Sequence, residues 1–239
     1  MLAPVTADIL GESATKRYTR NLYNSVLANN PSVTKAKDQT KDQTIDQTMT
    51  EQIQTRTEVV SDDAELLILV NSEDQPIGEL DKAACHNGDG KLHRAFSLFI
   101  LNSKGQILLQ KRAKNKRLWG GYWSNSCCSH PRVGESLADA VIRRSEQELG
   151  LTVDAKFIYK FEYSAQFGDS GSERELCSVY VAQTNDEPVF NTEEISACRW
   201  VAPAKLAKAL VDNADHYTPW LKLEWETLRS EHGNALRAS

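Results

Sequence analysis

The chain has 239 residues, of which 40% are hydrophobic and 26% charged, and a formal net charge of −5. These values suit one sizeable soluble domain with extensions. They give no basic field for nucleic acid, and no apolar run nears the roughly 18 residues of a membrane span, so neither is expected as a partner. The N-terminus lacks an apolar signal core and carries Asp8 and Glu12, and the cysteine count is odd at five. A cytoplasmic protein without a disulfide framework is expected.

Residues 16–27 have some helical character, which Asn29-Asn30-Pro31 ends. From Lys37 the chain repeats KDQT, KDQT and IDQT. A four-residue period drifts around a helix of 3.6 residues per turn and keeps no face buried, so residues 1–60 are expected to be a flexible extension and linker. The domain is expected over 61–239.

Glu65 to Val70 reads as a buried strand, Asp74 to Gly78 as a turn, and Lys82 to His93 as a polar loop holding His86 and His93. Ala95–Leu101 and Gln106–Lys111 form a hairpin about Asn102 to Gly105. Arg112, Lys114, Lys116 and Arg117 then precede Trp119, either as a solvated loop or as an anion cradle.

Residues 119–151 carry the densest chemistry, as a strand, loop and helix. Cys127, Cys128 and His130 are expected in a loop ahead of Pro131, with a helix from Ser136 to Leu149 stopped by Gly150. A thiol and an imidazole at a helix entrance, with cations reaching the same cleft, suit a diphosphate. Arg144 and Glu148 fall at the edge of the buried helix face, where they are either site residues or an i,i+4 pair worth roughly 0.3–0.5 kcal/mol.

Phe157–Ala165 and Arg174–Ala182 read as further strands, with Glu173 and Glu175 on one face. Paired acids can repel, bind metal or transfer protons. A strand at Ile195–Val201, a helix at Pro203–Val211 and an amphipathic helix at Trp220–Arg229 follow, with Trp220, Leu223 and Leu228 read as core. His86, His93, His130, Glu173 and Glu175 can together form a site for a divalent cation, and imidazole favours Zn2+, Mn2+ or Fe2+ over Ca2+.

From about Leu66 to Glu226 the chain resembles the type I isopentenyl-diphosphate delta-isomerases, which have the Nudix superfamily fold. The resemblance rests on Asn125-Ser126-Cys127-Cys128-Ser129-His130-Pro131, Gly134-Glu135, Arg143-Arg144, Glu148-Leu149-Gly150, Glu173-Arg174-Glu175 and Thr218-Pro219-Trp220. It implies an α+β fold of α/β/α Nudix-like type, a mixed central β-sheet flanked by helices. It also implies an intramolecular isomerase of isoprenoid precursor biosynthesis, a monomer whose only partner is a small allylic or homoallylic diphosphate.

The resemblance gives each position a role. His86, His93, His130, Glu173 and Glu175 match ligands of one divalent metal, Zn2+, Mn2+ or Mg2+. Glu148 matches the holder of a diphosphate-bound Mg2+, with Lys82, Arg112, Lys116 and Arg144 as the diphosphate cradle. Cys128 matches the catalytic thiol, Tyr163 a catalytic tyrosine and Trp220 an indole facing the hydrocarbon. Moving the double bond requires a proton added to the terminal carbon and another removed from C2, through a tertiary carbocation. Glu175, sharing its proton with Tyr163, suits the donor, Cys128 the acceptor, and Trp220 a cation-π contact.

Two rival readings stand beside this one. A Nudix hydrolase shares the fold, and Glu135, Arg143, Glu148 and Gly150 match its motif, but Ser129, Arg144 and Gln147 replace a Gly and two Glu, which should weaken a hydrolytic Mg2+ cluster. A zinc-bound interaction domain would favour four Cys or His ligands over a mixed His and Glu set. Gly120 stands where the isomerase pattern usually has Pro, which bears only on the local turn.

Overall fold

The structure is a computed structural model that describes residues 55–237. The helical stretch expected at 16–27 and the KDQT repeats lie outside these residues. The packed chain begins ahead of residue 61. Arg56 pairs with Asn191 as a parallel bridge, and its guanidinium donates to the carbonyls of Glu146 and Gln147. The Glu146 carbonyl also accepts from the Gly150 N–H, and the last turn of this helix contains no basic residue, so the guanidinium supplies a cation at its C-terminal end.

β1 (Leu66–Val70) and β2 (Pro76–Asp81) form a hairpin. The turn falls at 71–75 rather than the expected 74–78, because the Asn71 side chain accepts from the backbone of Glu73 and Gln75 while Asp74 takes a φ of 63°. Pro76 is thereby free to begin an edge strand, where its missing donor costs nothing. The expected polar loop at 82–93 starts with a short helix, α1 (Lys82–Cys85), whose N-cap Asp81 accepts from Ala84.

β3 (His93–Leu101) is the hub of the sheet, apolar on both faces as a central strand must be. β4 (Ile107–Arg112), β5 (Trp123–Ser124) and β6 (Cys127–Ser129) follow, then α2 (Leu137–Leu149), β7 (Lys156–Gln166), β8 (Ser172–Gln183), β9 (Ile195–Val201), α3 (Pro203–Asp212) and α4 (Pro219–Glu231). β8 runs parallel to β3 along its whole length, whereas β1, β4 and β6 pair with it antiparallel. The sheet is therefore mixed. Phe96, Leu98, Ile100 and Cys127 pack with Ala140, Val141 and Leu149 of α2, while Phe99, Leu101 and Val179 pack with Leu206 of α3 and Leu221, Trp225 and Leu228 of α4. Helices thus cover both faces, as expected.

Cys127 and Cys128 lie on β6, not in a loop. Residues Cys127 to Ser129 pair with Leu98 to Phe96, so the sheet satisfies their backbone and fixes opposite directions for the two thiols. Cys127 enters the core against α2, and Cys128 faces the other side. Just before them, Trp119 has a φ of 48° and Gly120 lies so close to the carbonyls of Lys114 and Lys116 that a Cβ would meet them at 2.6 and 2.8 Å. The turn here is built for glycine.

Candidate active site

Strand register assembles the site. His93 stands opposite Glu175 across β3 and β8, Tyr163 opposite Glu175 across β7 and β8, and Ser97 opposite Cys128 across β3 and β6. Side chains on adjacent strands in register share a face, as do residues two apart along a strand. Tyr163, Glu175, Glu173 and His93 therefore form a band across three strands, with Ser97 and Cys128 further along the same face.

His86, just beyond α1, and His130, just beyond β6, close over this band. Their ring nitrogens and those of His93, with carboxylate oxygens of Glu173 and Glu175, lie within 4.8 Å of one another, the only such cluster among the described residues. Backbone carbonyls set the tautomers: Nδ1 of His86 is 2.6 Å from the oxygen of Lys82 and Nδ1 of His93 is 2.7 Å from that of Lys91. A carbonyl can only accept, so both Nδ1 atoms carry the proton and both Nε2 atoms turn inward.

The inward atoms satisfy one another only in part: Nε2 of His130 is 3.2 Å from Oε1 of Glu175. Nε2 of His93 and Nε2 of His130 face each other at 3.1 Å. Oε2 of Glu173 is buried without a hydrogen-bond partner although Nε2 of His86 is 2.8 Å away, a close pair lacking hydrogen-bond geometry. Such convergence fits a divalent cation bound by imidazole and carboxylate. Burial and the His86 charge push His93 down to about 4, and burial followed by the other two imidazoles holds His130 well below its ordinary value. Neutral imidazole is the form that ligates.

Next to the cluster, the Tyr163 hydroxyl donates to Oε2 of Glu175 at 2.7 Å. Burial and then the Glu173 charge hold the Glu175 carboxyl well above the usual range, against the pull of Tyr163. Glu173 goes the other way, to about 2: burial would raise it, but His86, His93 and Arg112 prevail. Two carboxylates two residues apart thus differ in proton affinity, the separation that acid and base roles require.

Sγ of Cys128 donates to Oδ1 of Asn125 at 2.8 Å and lies 3.3 Å from Oγ of Ser97. Burial raises its pKa and the charges of Glu224 and Glu175 add to this, while the Ser97 hydrogen bond lowers it; the net shift is upward. The resting group is a thiol. An acceptor role therefore requires the proton to leave first, a demand the sequence did not disclose.

A cavity of about 600 Å³ opens onto these groups, lined by His86, His130, Cys128, Tyr163, Glu173 and Glu175 and also by Lys82, Arg112, Lys116, Arg144 and Glu148, with Trp220 on its wall. His93 lies beneath the surface, fully buried. All the anticipated site residues thus come together. The helix entrance does not: α2 gives the cavity Arg144 and Glu148 from its second half, while Ser136 caps its start by accepting from Asp139.

Arg144 and Glu148 are 4% and 2% exposed, well inside the buried face rather than at its edge. Burial is tolerable because Oε1 of Glu148 accepts two bonds from Arg144, at 3.0 and 2.6 Å, while Arg144 also donates to the Val60 carbonyl at 2.7 Å. Lys116 pairs with Glu194, and Arg112 donates to the Leu118 carbonyl with its guanidinium 5.4 Å from the Trp220 ring. Nε1 of Trp220 donates to Oγ of Ser124 at 2.9 Å. Arg143 holds Glu135 and donates to the His130 carbonyl at 3.3 Å, tying α2 to a cluster histidine.

Residue-by-residue reading missed Ser97, Asn125, Glu194 and Glu224. Glu224 left a signal: it falls within the buried row Trp220, Leu221, Glu224, Trp225, Leu228 of α4, where an acid needs a reason. Glu194, just before β9, had no comparable mark.

Comparison with known proteins shows the family of the chain. The NUDIX domain model matches residues 91–221. The chain is 42% identical to "Isopentenyl-diphosphate Delta-isomerase 1" of Photorhabdus laumondii, over 72% of this chain and 99% of that one. It is 39% identical to an isopentenyl-diphosphate Delta-isomerase of Saccharopolyspora erythraea, over 66% of this chain and 82% of the relative. A solved structure from Deinococcus radiodurans shares the fold at a TM-score of 0.55 and 22% identity, covering 66% of this chain and 96% of its own.

Proposed function

Belonging to the isopentenyl-diphosphate Delta-isomerases among the NUDIX domain proteins, this chain interconverts isopentenyl and dimethylallyl diphosphate, and we propose that its cavity divides the work between a proton-transfer end and a diphosphate end. The observation that carries this division is the Tyr163–Glu175 hydrogen bond, buried in the same cavity as the Cys128 thiol. An alkene is a very weak base, so a proton reaches it only from an acid held in a site poor in water.

Glu175, sharing its proton with Tyr163, delivers to the terminal carbon, and Cys128 as a thiolate takes the proton from C2, so that each turnover leaves a thiol and a Glu175 carboxylate and is reset by the return of one proton from the thiol to Glu175. The Ser97 hydroxyl, which can donate to the sulfur, eases the loss of the thiol proton that this role demands. The Trp220 ring faces the tertiary cation, an interaction of roughly 2 kcal/mol when desolvated. The reverse reaction exchanges the two proton-transfer roles.

His86, His93, His130, Glu173 and Glu175 would hold a Zn2+, Mn2+ or Mg2+ ion, which would supply positive charge that increases the acidity of neighbouring groups. At the other end Lys82, Arg112, Lys116 and Arg144 receive the diphosphate. Glu148 would hold its Mg2+: Oε1 is committed to Arg144, whereas Oε2 has only a 3.5 Å bond from Gln110. A monomer working in the cytoplasm completes the reading.

The hydrolase alternative is disfavoured by Gln147, whose side-chain oxygen accepts from Arg143 and Arg144 where an acid ligand would be needed. Turnover of isopentenyl diphosphate in D2O, followed by NMR, separates the alternatives. Deuterium in the methyl groups of dimethylallyl diphosphate is expected, falling by at least about 10³-fold in a Cys128→Ala protein. Phosphate release without deuterated product, or full turnover by Cys128→Ala, would sink the assignment.

A further inference from the structure

The proton-transfer reading leaves one buried acid without a task. Glu224 of α4 is 0% exposed, its Oε2 has no hydrogen-bond partner, and its Oε1 accepts from Sγ of Cys177 at 3.7 Å. The Ser97 hydroxyl is close enough to this carboxyl to lower its pKa. The same hydroxyl lies 3.3 Å from Sγ of Cys128 and 3.5 Å from Sγ of Cys177. A chain of polar groups thus runs from Glu224 by way of Cys177 and Ser97 to the thiol that lines the cavity.

We propose that Glu224 is a positioning residue for Cys128: its carboxyl donates to Oγ of Ser97 and so turns the Ser97 hydroxyl hydrogen onto the sulfur. The inference rests on Cys128 being the proton-exchanging thiol. A serine hydroxyl has a single hydrogen and rotates to suit its neighbours. An uncharged acid beside it can donate, which leaves that hydrogen for the sulfur, whereas a carboxylate would draw it away. Burial raises the Glu224 carboxyl up to about 8 despite the hydrogen bonds of Ser97 and Cys177, so the acid form prevails at neutral pH. Small networks of this kind orient their members when buried, because the low local dielectric strengthens each bond.

A purely structural acid would behave differently from a positioning one. Leucine at 224 would extend the apolar row of α4 and should fold, and Glu224→Met serves in its place if it does not. Glutamine keeps a donor for Oγ of Ser97 and an acceptor for Cys177. Kinetics on the full, metal-loaded chain should therefore show kcat falling about tenfold in Glu224→Leu with KM within about twofold of the unchanged protein, and Glu224→Gln recovering at least about fivefold of that loss. Combining Glu224→Leu with Ser97→Ala tests the route: the double variant should lose no more than the worse single variant, within about threefold.

Equal kcat in the Leu and Gln variants, or losses that multiply in the double variant, would overturn the proposal while leaving the assignment of Cys128 standing. Full turnover by Cys128→Ala, measured in the same series, would overturn both.

Discussion

The two ends of the cavity are built on opposite plans. At the proton-transfer end, imidazole nitrogens and carboxylate oxygens converge and satisfy one another only in part: two Nε2 atoms face each other at 3.1 Å, and Oε2 of Glu173 lacks a hydrogen bond. At the diphosphate end the charges already have partners, Arg144 with Glu148, Lys116 with Glu194, and Lys82 with the Ser61 hydroxyl. On the proposed reading a divalent cation completes the first end. The second must exchange an internal anion for an external one, so it selects for charge. A neutral ligand could not repay the opening of those pairs.

Breaking the first end should have the larger effect. His93 is the fully buried histidine of the cluster. In His93→Ala, or after removal of metal by a chelator, kcat should fall at least about a hundredfold. Divalent metal should restore the chelated protein but not the variant. Metal content and turnover measured side by side check this, and wild-type turnover in a metal-free protein would remove the contrast between the ends.

At the second end, Lys116→Ala should act on binding. Loss of one diphosphate contact is expected to raise KM about tenfold with a smaller change in kcat, because the interaction is made equally with substrate and transition state. Glu194, released from Lys116, retains Arg144 at 3.5 Å. Steady-state kinetics decide, and a loss confined to kcat would place Lys116 at the chemistry instead.

How much of this was legible in the sequence depended on whether a feature is local. β9 is found where the apolar run at Ile195–Val201 places it, and α2 ends at Gly150, whose φ of 68° is the left-handed cap that glycine supplies. The cluster residues were legible as types and, through the resemblance, as a set. The depth of Arg144 was not, because it depends on Val60 and Glu194 from distant segments. Nor was the place of Cys128 on a strand: Pro131 and the nearby helix suggested a loop, and only pairing with β3 makes Cys127–Ser129 a strand. The protonation of Cys128 likewise depends on Glu224, 96 residues away along the chain by its number.

The smallest expected effect concerns support rather than chemistry. The Arg143 hydrogen bond holds the Glu135 carboxyl below its ordinary value of 4.5 against the opposing effect of partial burial. A depressed folded-state pKa stabilises the fold above the ordinary value, and that contribution is lost as pH falls through the folded value. Glu135→Gln should therefore lower Tm slightly at pH 7, by the equivalent of less than about 1 kcal/mol after solvent screening, and the gap should close below pH 4 or so. Melting curves across that range test it. A gap that stays open in acid would mean that Glu135 supports the His130 segment by shape alone.

The most direct test of the contrast between the two ends is a crystal structure with Mn2+ and isopentenyl diphosphate, using diffraction at the manganese edge to locate the ion. The account predicts an anomalous peak among His86, His93, His130, Glu173 and Glu175, with the diphosphate toward Lys116 and Arg112 and the hydrocarbon between Cys128 and Glu175. A diphosphate seated over the histidines, or manganese only beside Glu148, would contradict it.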